Sequence, residues 1–289
     1  MNLGSRSVGI PAVIGVCVAI AFSLCAAHAE TPLERGTYLM RGIVGCGNCH
    51  TPKGPDGHAL QDQELAGGVV FRTPGFDAVA GNITPDPATG IGNWTDDQIV
   101  DAIRNGKRPD GTTIGPPMPI EFYRNMSDTD VRALVAYLRT VKPIAHTLAK
   151  STYKAPLPAS YGPTVTHVPD TSPDNRIAYG HYLSTIAHCM ECHTPRAHGQ
   201  LETSELGAGG QELPVFPVGV VISSNLTPAN PEGIAHWTDA EVETAITDGV
   251  RPEGRRLVRT MAFDWYRNMR KPDLDMLVAY LRTLKPATP

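Results

Sequence analysis

Cys46-Gly47-Asn48-Cys49-His50-Thr51-Pro52 returns 143 residues later as Cys189-Met190-Glu191-Cys192-His193-Thr194-Pro195. Two thiols three positions apart fall on one helical turn, so both can reach one flat molecule from the same side. The histidine after them points its ring at the same place. This spacing is the attachment signature of a covalent c-type haem, in which the thiols take two vinyl groups and the imidazole takes the iron. Zinc would need its two Cys-x-x-Cys pairs together, and it gives no reason for a histidine after each. A thioredoxin-like redox motif needs a βαβ setting, which the flanking sequence lacks. Plain disulfides remain open, since exported chains use them freely.

The repeat extends well beyond the cysteines. Asn82-Ile83-Thr84-Pro85 matches Asn225-Leu226-Thr227-Pro228, and Trp94-Thr95-Asp96 matches Trp237-Thr238-Asp239. Tyr123-Arg124-Asn125-Met126 matches Tyr266-Arg267-Asn268-Met269, and Leu134–Thr140 is identical to Leu277–Thr283. Copies of this length are two homologous domains rather than a solenoid of small units. The expected domains are residues 30–143 and 176–289. Between them, 144–175 is rich in proline (156, 158, 163, 169, 173) and reads as an extended linker laid along both domains.

Within each copy the coarse pattern is helical, so the expected fold is all-α. A helix precedes the cysteines, from Leu33 to about Gly42 and from Asn175 to about Ile186. Thr95 with Gln98, and Thr238 with Glu241, are capping boxes, each adding about 1 kcal/mol to its helix. Those helices should stop at Gly106 and Gly249. The last helix of copy one runs from Asp128 to about Val141 with Val131, Leu134, Val135 and Leu138 on one face. Its counterpart starts near Pro272. The glycine-rich stretch from Pro52 to Asn82 has no strong period, and at most a small hairpin near Leu65–Phe71 is expected.

Residues 1–29 read as a secretory signal peptide: Arg6, an apolar run from Val8 to Ala27, then Ala27-His28-Ala29 as a small-x-small cleavage site. The rival reading is a retained membrane anchor. Cleavage would remove Cys17 and Cys25 and leave the four motif cysteines in a periplasmic protein. With 289 residues and a formal net charge of -4, the chain shows no basic stripe, so a nucleic-acid partner is not expected.

A haem iron needs a second axial ligand. Met118 lies in Pro116-Pro117-Met118-Pro119, where the prolines would hold the sulfur with little entropy left to lose. Its repeat partner is Met261 in Arg259-Thr260-Met261-Ala262. Met126 and Met269 also repeat but sit close to the last helix. The expected axial pairs are therefore His50 with Met118 and His193 with Met261; a thioether ligand raises the reduction potential. Trp94 and Trp237 read as core or haem-wall packing. His58, His146, His167, His181, His188, His198 and His236 have no repeat partners and default to the surface, with His188 and His198 as alternative ligands.

On these motifs the chain resembles the diheme c-type cytochromes that serve as electron-transfer subunits of bacterial periplasmic dehydrogenases, such as the gluconate, alcohol and aldehyde types. The resemblance covers residues 31–286. It rests on both Cys-x-x-Cys-His motifs, Asn82–Asp86, Gly90–Asp96, Arg108–Gly111, Pro116–Pro119 and the closing Ala-Tyr-Leu-Arg helices. It implies two tandem cytochrome c domains, two haem c groups and iron ligation by Met118. It also implies a catalytic partner subunit of flavin, quinoprotein or molybdenum type, and an acceptor on the quinone or terminal-oxidase side. The alcohol dehydrogenase type carries three haem motifs where this chain has two. The function expected is electron relay at the periplasmic face, with peripheral attachment to the inner membrane left open and no catalytic site of the chain's own. Two alternatives stand beside it. One is a diheme enzyme, peroxidase- or thiosulfate dehydrogenase-like, with one open or unusually ligated haem. The other is a free periplasmic shuttle.

Overall fold

The computed structural model describes residues 1, 4, 29–197, 199–215, 219–228 and 233–286. Nearly all of residues 1–29, with Cys17 and Cys25, lies outside the described residues. Thr31–Pro289 form one compact unit.

Copy one opens with α1 (Pro32–Tyr38), which Thr31 and Glu34 start with a reciprocal capping box. The helix continues as a π-turn over Leu39–Ile43. Then follow α2 (Gly47–His50), a hairpin of β1 (Val70–Thr73) and β2 (Phe76–Val79), α3 (Asp96–Asn105), α4 (Ile120–Tyr123) and α5 (Asp128–Leu138). A short strand β3 (Thr152–Tyr153) lies in the linker. Copy two repeats the order as α6 (Arg176–Ile186), α7 (Cys189–His193), β4 (Arg196–Ala197), β5 (Gln200–Leu201), β6 (Glu212–Val215), β7 (Gly219–Ile222), α8 (Asp239–Thr247), α9 (Phe263–Tyr266) and α10 (Lys271–Leu281).

Local signals act where expected. Thr95–Gln98 and Thr238–Glu241 both form complete capping boxes. Gly106 ends α3 in the left-handed conformation, φ 66°, where a side chain would be strained. The π-turn has its own cause. Ten residues separate Gly36 from Cys46, but only nine separate Gly180 from Cys189. The extra residue of copy one is absorbed as a π-bulge, so the cysteines of both copies keep their place.

The all-α expectation is corrected. The chain is 35% helical and carries several antiparallel sheets, ordered β1-β2-β3, β4-β5 and β6-β7 among the described residues. Val70 pairs with Val79 and Thr73 with Phe76 across the turn Pro74-Gly75. Thr73 Oγ1 closes that turn by accepting from the amides of Gly75 and Phe76 at 3.1 and 3.2 Å. Four-residue strands leave too short an alternation to register as a period, and Pro-Gly was the readable mark. The β1–β2 hairpin walls an apolar cavity described below.

The two copies meet in a common apolar cluster, and a second cluster lies mostly within copy two. α1 crosses α5, and α6 crosses α10, at points where Gly36 and Gly180 lie on the backbone of the opposing helix. Buried Leu39, Ile43 and Leu134 of copy one pack in the same cluster as Leu183, Ile186 and Leu277 of copy two. Two reciprocal hydrogen bonds pin the copies together. The Tyr38 hydroxyl donates to Asp273 at 2.5 Å, and the Tyr182 hydroxyl donates to Asp130 at 2.6 Å. Each tyrosine oxygen also accepts the matching cap amide, from Arg270 and Ser127, at 3.1 and 3.2 Å. Arg35 adds a buried ion pair to Asp130 at 2.7 Å. A buried carboxylate that loses its hydroxyl partner pays its desolvation in full. Tyr38→Phe should therefore cost about 1.5–3 kcal/mol, read by urea denaturation. The common cluster should also make residues 31–286 unfold in a single cooperative step; two separated transitions would contradict this packing.

The linker lies along copy one. Ile144 and His146 hydrogen-bond around Asn82, Thr84 and Thr89. β3 adds a strand to β2 through Tyr153 opposite Phe76. Val165 accepts from and donates to the Asn105 amide group at 3.2 and 2.9 Å, and the Val168 carbonyl receives the amide of Asp128 at 2.9 Å.

Candidate functional site

Cys46 stands at the N-terminus of α2, and Cys49 and His50 follow within its single turn. The four motif cysteines are free thiols, half-buried. Burial raises their pKa values, to about 12 for Cys46 and about 11 for Cys49, so both are neutral thiols at pH 7. His50 Nδ1 donates to the carbonyl oxygen of Gly81 at 2.7 Å. That bond sets the tautomer and leaves Nε2 as the lone-pair nitrogen. Burial pulls the His50 pKa down despite the Gly81 bond, so the ring is neutral and competent to ligate a metal.

These groups open on a cavity of about 570 Å³, within the size range of cofactor pockets, about 300–1,000 Å³. Cys46, Cys49, His50 and Met118 all line it. Ile99 and Ala102 of α3 supply part of its helical wall, Trp94 lines it just before that helix, and Phe71, Ala78 and Val79 supply the hairpin wall. Met126, by contrast, is fully buried in the core. Two neutral thiols, a neutral imidazole with one nitrogen free and a thioether in one apolar cavity fit a covalently attached haem. No group of three or more His, Cys, Asp or Glu residues converges among the described residues, so the zinc reading lacks its ligand set.

The second set repeats the arrangement. Cys189, Cys192 and His193 lie on α7. His193 Nδ1 donates to the Ser224 carbonyl at 2.7 Å, and its pKa is likewise lowered by burial. Cys189 and Cys192 are raised by burial to about 11 and about 12. Met261 is half-buried and packs on the shared core, while Met269 is buried within it. The two attachment helices are neighbours. The Cys192 thiol is raised by burial first and then by Glu191, Cys189 and, across the seam, Cys49. Buried Tyr123 and Tyr266 stand in this seam, and their hydroxyls donate to the Val44 and Ala187 carbonyls at 3.4 and 3.0 Å.

Several participants were not singled out from the sequence. The carbonyls of Gly81 and Ser224 orient the histidines, but a carbonyl belongs to every residue, so no side-chain signal marks them. The linker also buttresses the Met118 loop. The Tyr153 hydroxyl donates to the Pro116 carbonyl at 3.0 Å, and the Tyr161 hydroxyl to the Ile114 carbonyl at 2.8 Å. His146 lines the cavity rather than facing solvent. Of the other unrepeated histidines, His58 meets Asp264 at 3.4 Å and His167 meets Asp128 at 2.6 Å. His198 lies outside the described residues.

A family model described as Cytochrome c matches residues 34–142. The chain is 34% identical over 248 residues to the cytochrome c subunit of the quinone alcohol dehydrogenase of Gluconobacter oxydans, covering 80% of this chain and 50% of that subunit. It is 32% identical over 232 residues to the gluconate 2-dehydrogenase cytochrome c subunit of Pantoea cypripedii, covering 75% and 51%. It is 31% identical over 253 residues to a diheme cytochrome c-type protein of Cereibacter sphaeroides, covering 82% of this chain and 81% of that one. The chain thus spans about half the length of the two dehydrogenase subunits and most of the diheme protein. With its paired attachment motifs and the cavity that the first of them shares with Met118, the chain belongs to the c-type cytochrome family that includes the cytochrome c subunits of bacterial dehydrogenases and the diheme cytochrome c.

Proposed function

We propose that the chain carries two haem c groups and relays electrons from the catalytic subunit of a periplasmic dehydrogenase toward a respiratory acceptor. Cys46, Cys49, Cys189 and Cys192 hold the haems; His50 with Met118, and His193 with Met261, are the axial ligands. The observation that carries this reading is the single cavity that gathers both thiols, the imidazole and the thioether of copy one. When bound, haem supplies a one-electron iron couple whose potential the axial ligands and burial set. The protein's own part is to hold neutral ligands, keep water out and bring the two attachment helices side by side. Held between His50 and Met118 and between His193 and Met261, the two irons would keep no position for a substrate, and the chain would act as a relay. The relatives' names support a dehydrogenase partner; its flavin, quinoprotein or molybdenum type and a quinone or terminal-oxidase acceptor are what the resemblance implies. The signal-peptide reading of 1–29 supports the periplasm. Among the described residues no helix is long and apolar enough to cross a membrane.

Pyridine haemochrome per chain, with the near-infrared band of methionine-ligated ferric haem, tests the assignment. Two haems with the full band are expected. The Met261 loop lacks both the flanking prolines and the linker tyrosines that brace Met118, so a half-intensity band would locate an open iron in copy two and favour the enzyme reading.

The surface beside Met261 bears on the partner. Between residues 251 and 267 five arginines share two carboxylates, Glu253 and Asp264. The matching stretch 108–124 carries Arg108 and Arg124 against Asp110 and Glu121. Arg255, Arg256, Arg259 and Arg267 are exposed. A chain of net charge -4 thus presents a local excess of positive charge next to its second redox site. Electron exchange with an acidic redox protein should slow by about tenfold or more between ~10 mM and ~150 mM salt, as the Debye length falls from about 30 to 8 Å. Stopped-flow mixing measures it, and a rate indifferent to salt would remove this surface from the docking route.

A further inference from the structure

His188 belongs by sequence to the second attachment motif, directly before Cys189, yet it lines the cavity of the first copy alongside Cys46, His50 and Met118. The matching residue of copy one is Gly45. Both backbones are left-handed, φ 45° at His188 and φ 57° at Gly45. Glycine adopts that conformation freely, whereas a histidine is strained in it. Strain of this kind persists only where the surroundings over-determine it, and it gathers at functional sites.

The surroundings of the ring are specific. Its Nδ1 stands 3.2 Å from the Glu191 carboxylate. Its edge meets the face of Tyr123, with centroids 5.9 Å apart and planes at 83°. Tyr123 itself lines the same cavity. The exchange between copies is not reciprocal. Where copy two lends His188 to copy one, Gly45 and Gly47 lend no side chain in return, and Trp265 packs over them instead. Glu191 lies close enough to Cys49 and Tyr123 to raise the pKa of each, so its charge is felt in the first site.

We propose that His188 is a positioning residue of the first haem site, supplied by the second motif, and that by closing the cavity wall it raises the reduction potential of the first haem relative to the second. The inference rests on the two-haem reading above. Its physics is simple. Ferric haem carries one more positive charge than ferrous haem, so admitting water stabilises the oxidised form. Losing the ring would admit water to the first cavity, and that change lowers the first potential. Glu191 also bears on Cys192 of the second motif, but the ring lines the first cavity, so the second haem should respond less than the first.

The test is a spectroelectrochemical titration of purified holoprotein as wild type, His188→Gly and His188→Asn, with Met118→His marking the wave of the first haem. Haemochrome content and melting temperature are measured on each. His188→Gly is expected to shift the first haem's redox equilibrium at least tenfold toward the oxidised form, about 59 mV for one electron. The second wave should move less than the first, and the melting temperature should not fall, because glycine fits the left-handed backbone. His188→Asn, which tolerates that backbone and keeps a polar group, should shift the same wave by less. Unmoved waves, a rise of the first wave, or both waves moving together with a lower melting temperature would overturn the proposal. Fewer than two haems per wild-type chain would overturn the two-haem reading and this inference with it; two haems with unmoved waves would defeat this inference alone.

Discussion

Gly36→Ala and Gly180→Ala should each destabilise the protein by about 3 kcal/mol or more, at the upper end of what overpacking costs. Alanine is the better helix former by about 1 kcal/mol, so propensity alone predicts a gain. Geometry reverses the sign. A Cβ on Gly36 would overlap the carbonyl oxygen of Ala133 on α5, and one on Gly180 the carbonyl of Met276 on α10. A backbone carbonyl cannot rotate away as a flexible side chain would. The two helices must part, and the apolar cluster between the copies opens with them. Gly75→Ala is the control: it lies in the β1–β2 turn, where only Thr73 Oγ1 comes near, at 3.8 Å, and should stay within about 0.5 kcal/mol. Urea denaturation of the holoprotein measures all three. Equal stability of Gly36→Ala and wild type would mean that α1 and α5 do not cross this closely.

The second large effect separates a ligand from a core residue of the same type. Met118→His should lower the first haem potential by roughly 0.2 V or more, out of the about 0.8 V that ligation and burial span, and should abolish that haem's near-infrared methionine band. Its cost in stability should be small, because Met118 is half-buried in a loop. Met126→Ala should do the reverse. Met126 is fully buried in the core, so removing its side chain should cost about 2–5 kcal/mol and leave the potential and the band in place. Met126→Ala moving the potential while Met118→His leaves it unchanged would exchange the two assignments. The same comparison between Met261 and Met269 tests copy two.

The contrast between these methionines shows what could be read in advance. Repetition alone marks all four equally, since each has a partner 143 residues away. The prolines around Met118 were the usable signal, because a rigid loop is a local property. Which methionine faces the cavity is decided by how α4 and α5 pack, which is not local. The π-turn at Leu39–Ile43 is a similar case. The one-residue excess of copy one was present in the sequence, but only the need to hold Cys46 in register turns it into a bulge rather than a loop. The hairpins were missed because period-2 patterns four residues long carry little signal, while the helices had caps and three-turn faces.

The sequence by itself determined the chemistry of this protein and the duplication. Thioether attachment requires two thiols and a histidine at one fixed short spacing, and fixed short spacing is what a linear text records. It determined the helix starts for the same reason, since a cap and its partner lie three residues apart. Only the tertiary structure decided which carbonyl holds each histidine, that Tyr38 and Tyr182 reach across to Asp273 and Asp130, that the linker braces the Met118 loop, and that His188 serves the cavity of the other copy. Those contacts join residues 31 to 235 positions apart in the chain. They exist because burying one common core brings the two copies together, and burial depends on the sum of apolar surface rather than on any local pattern.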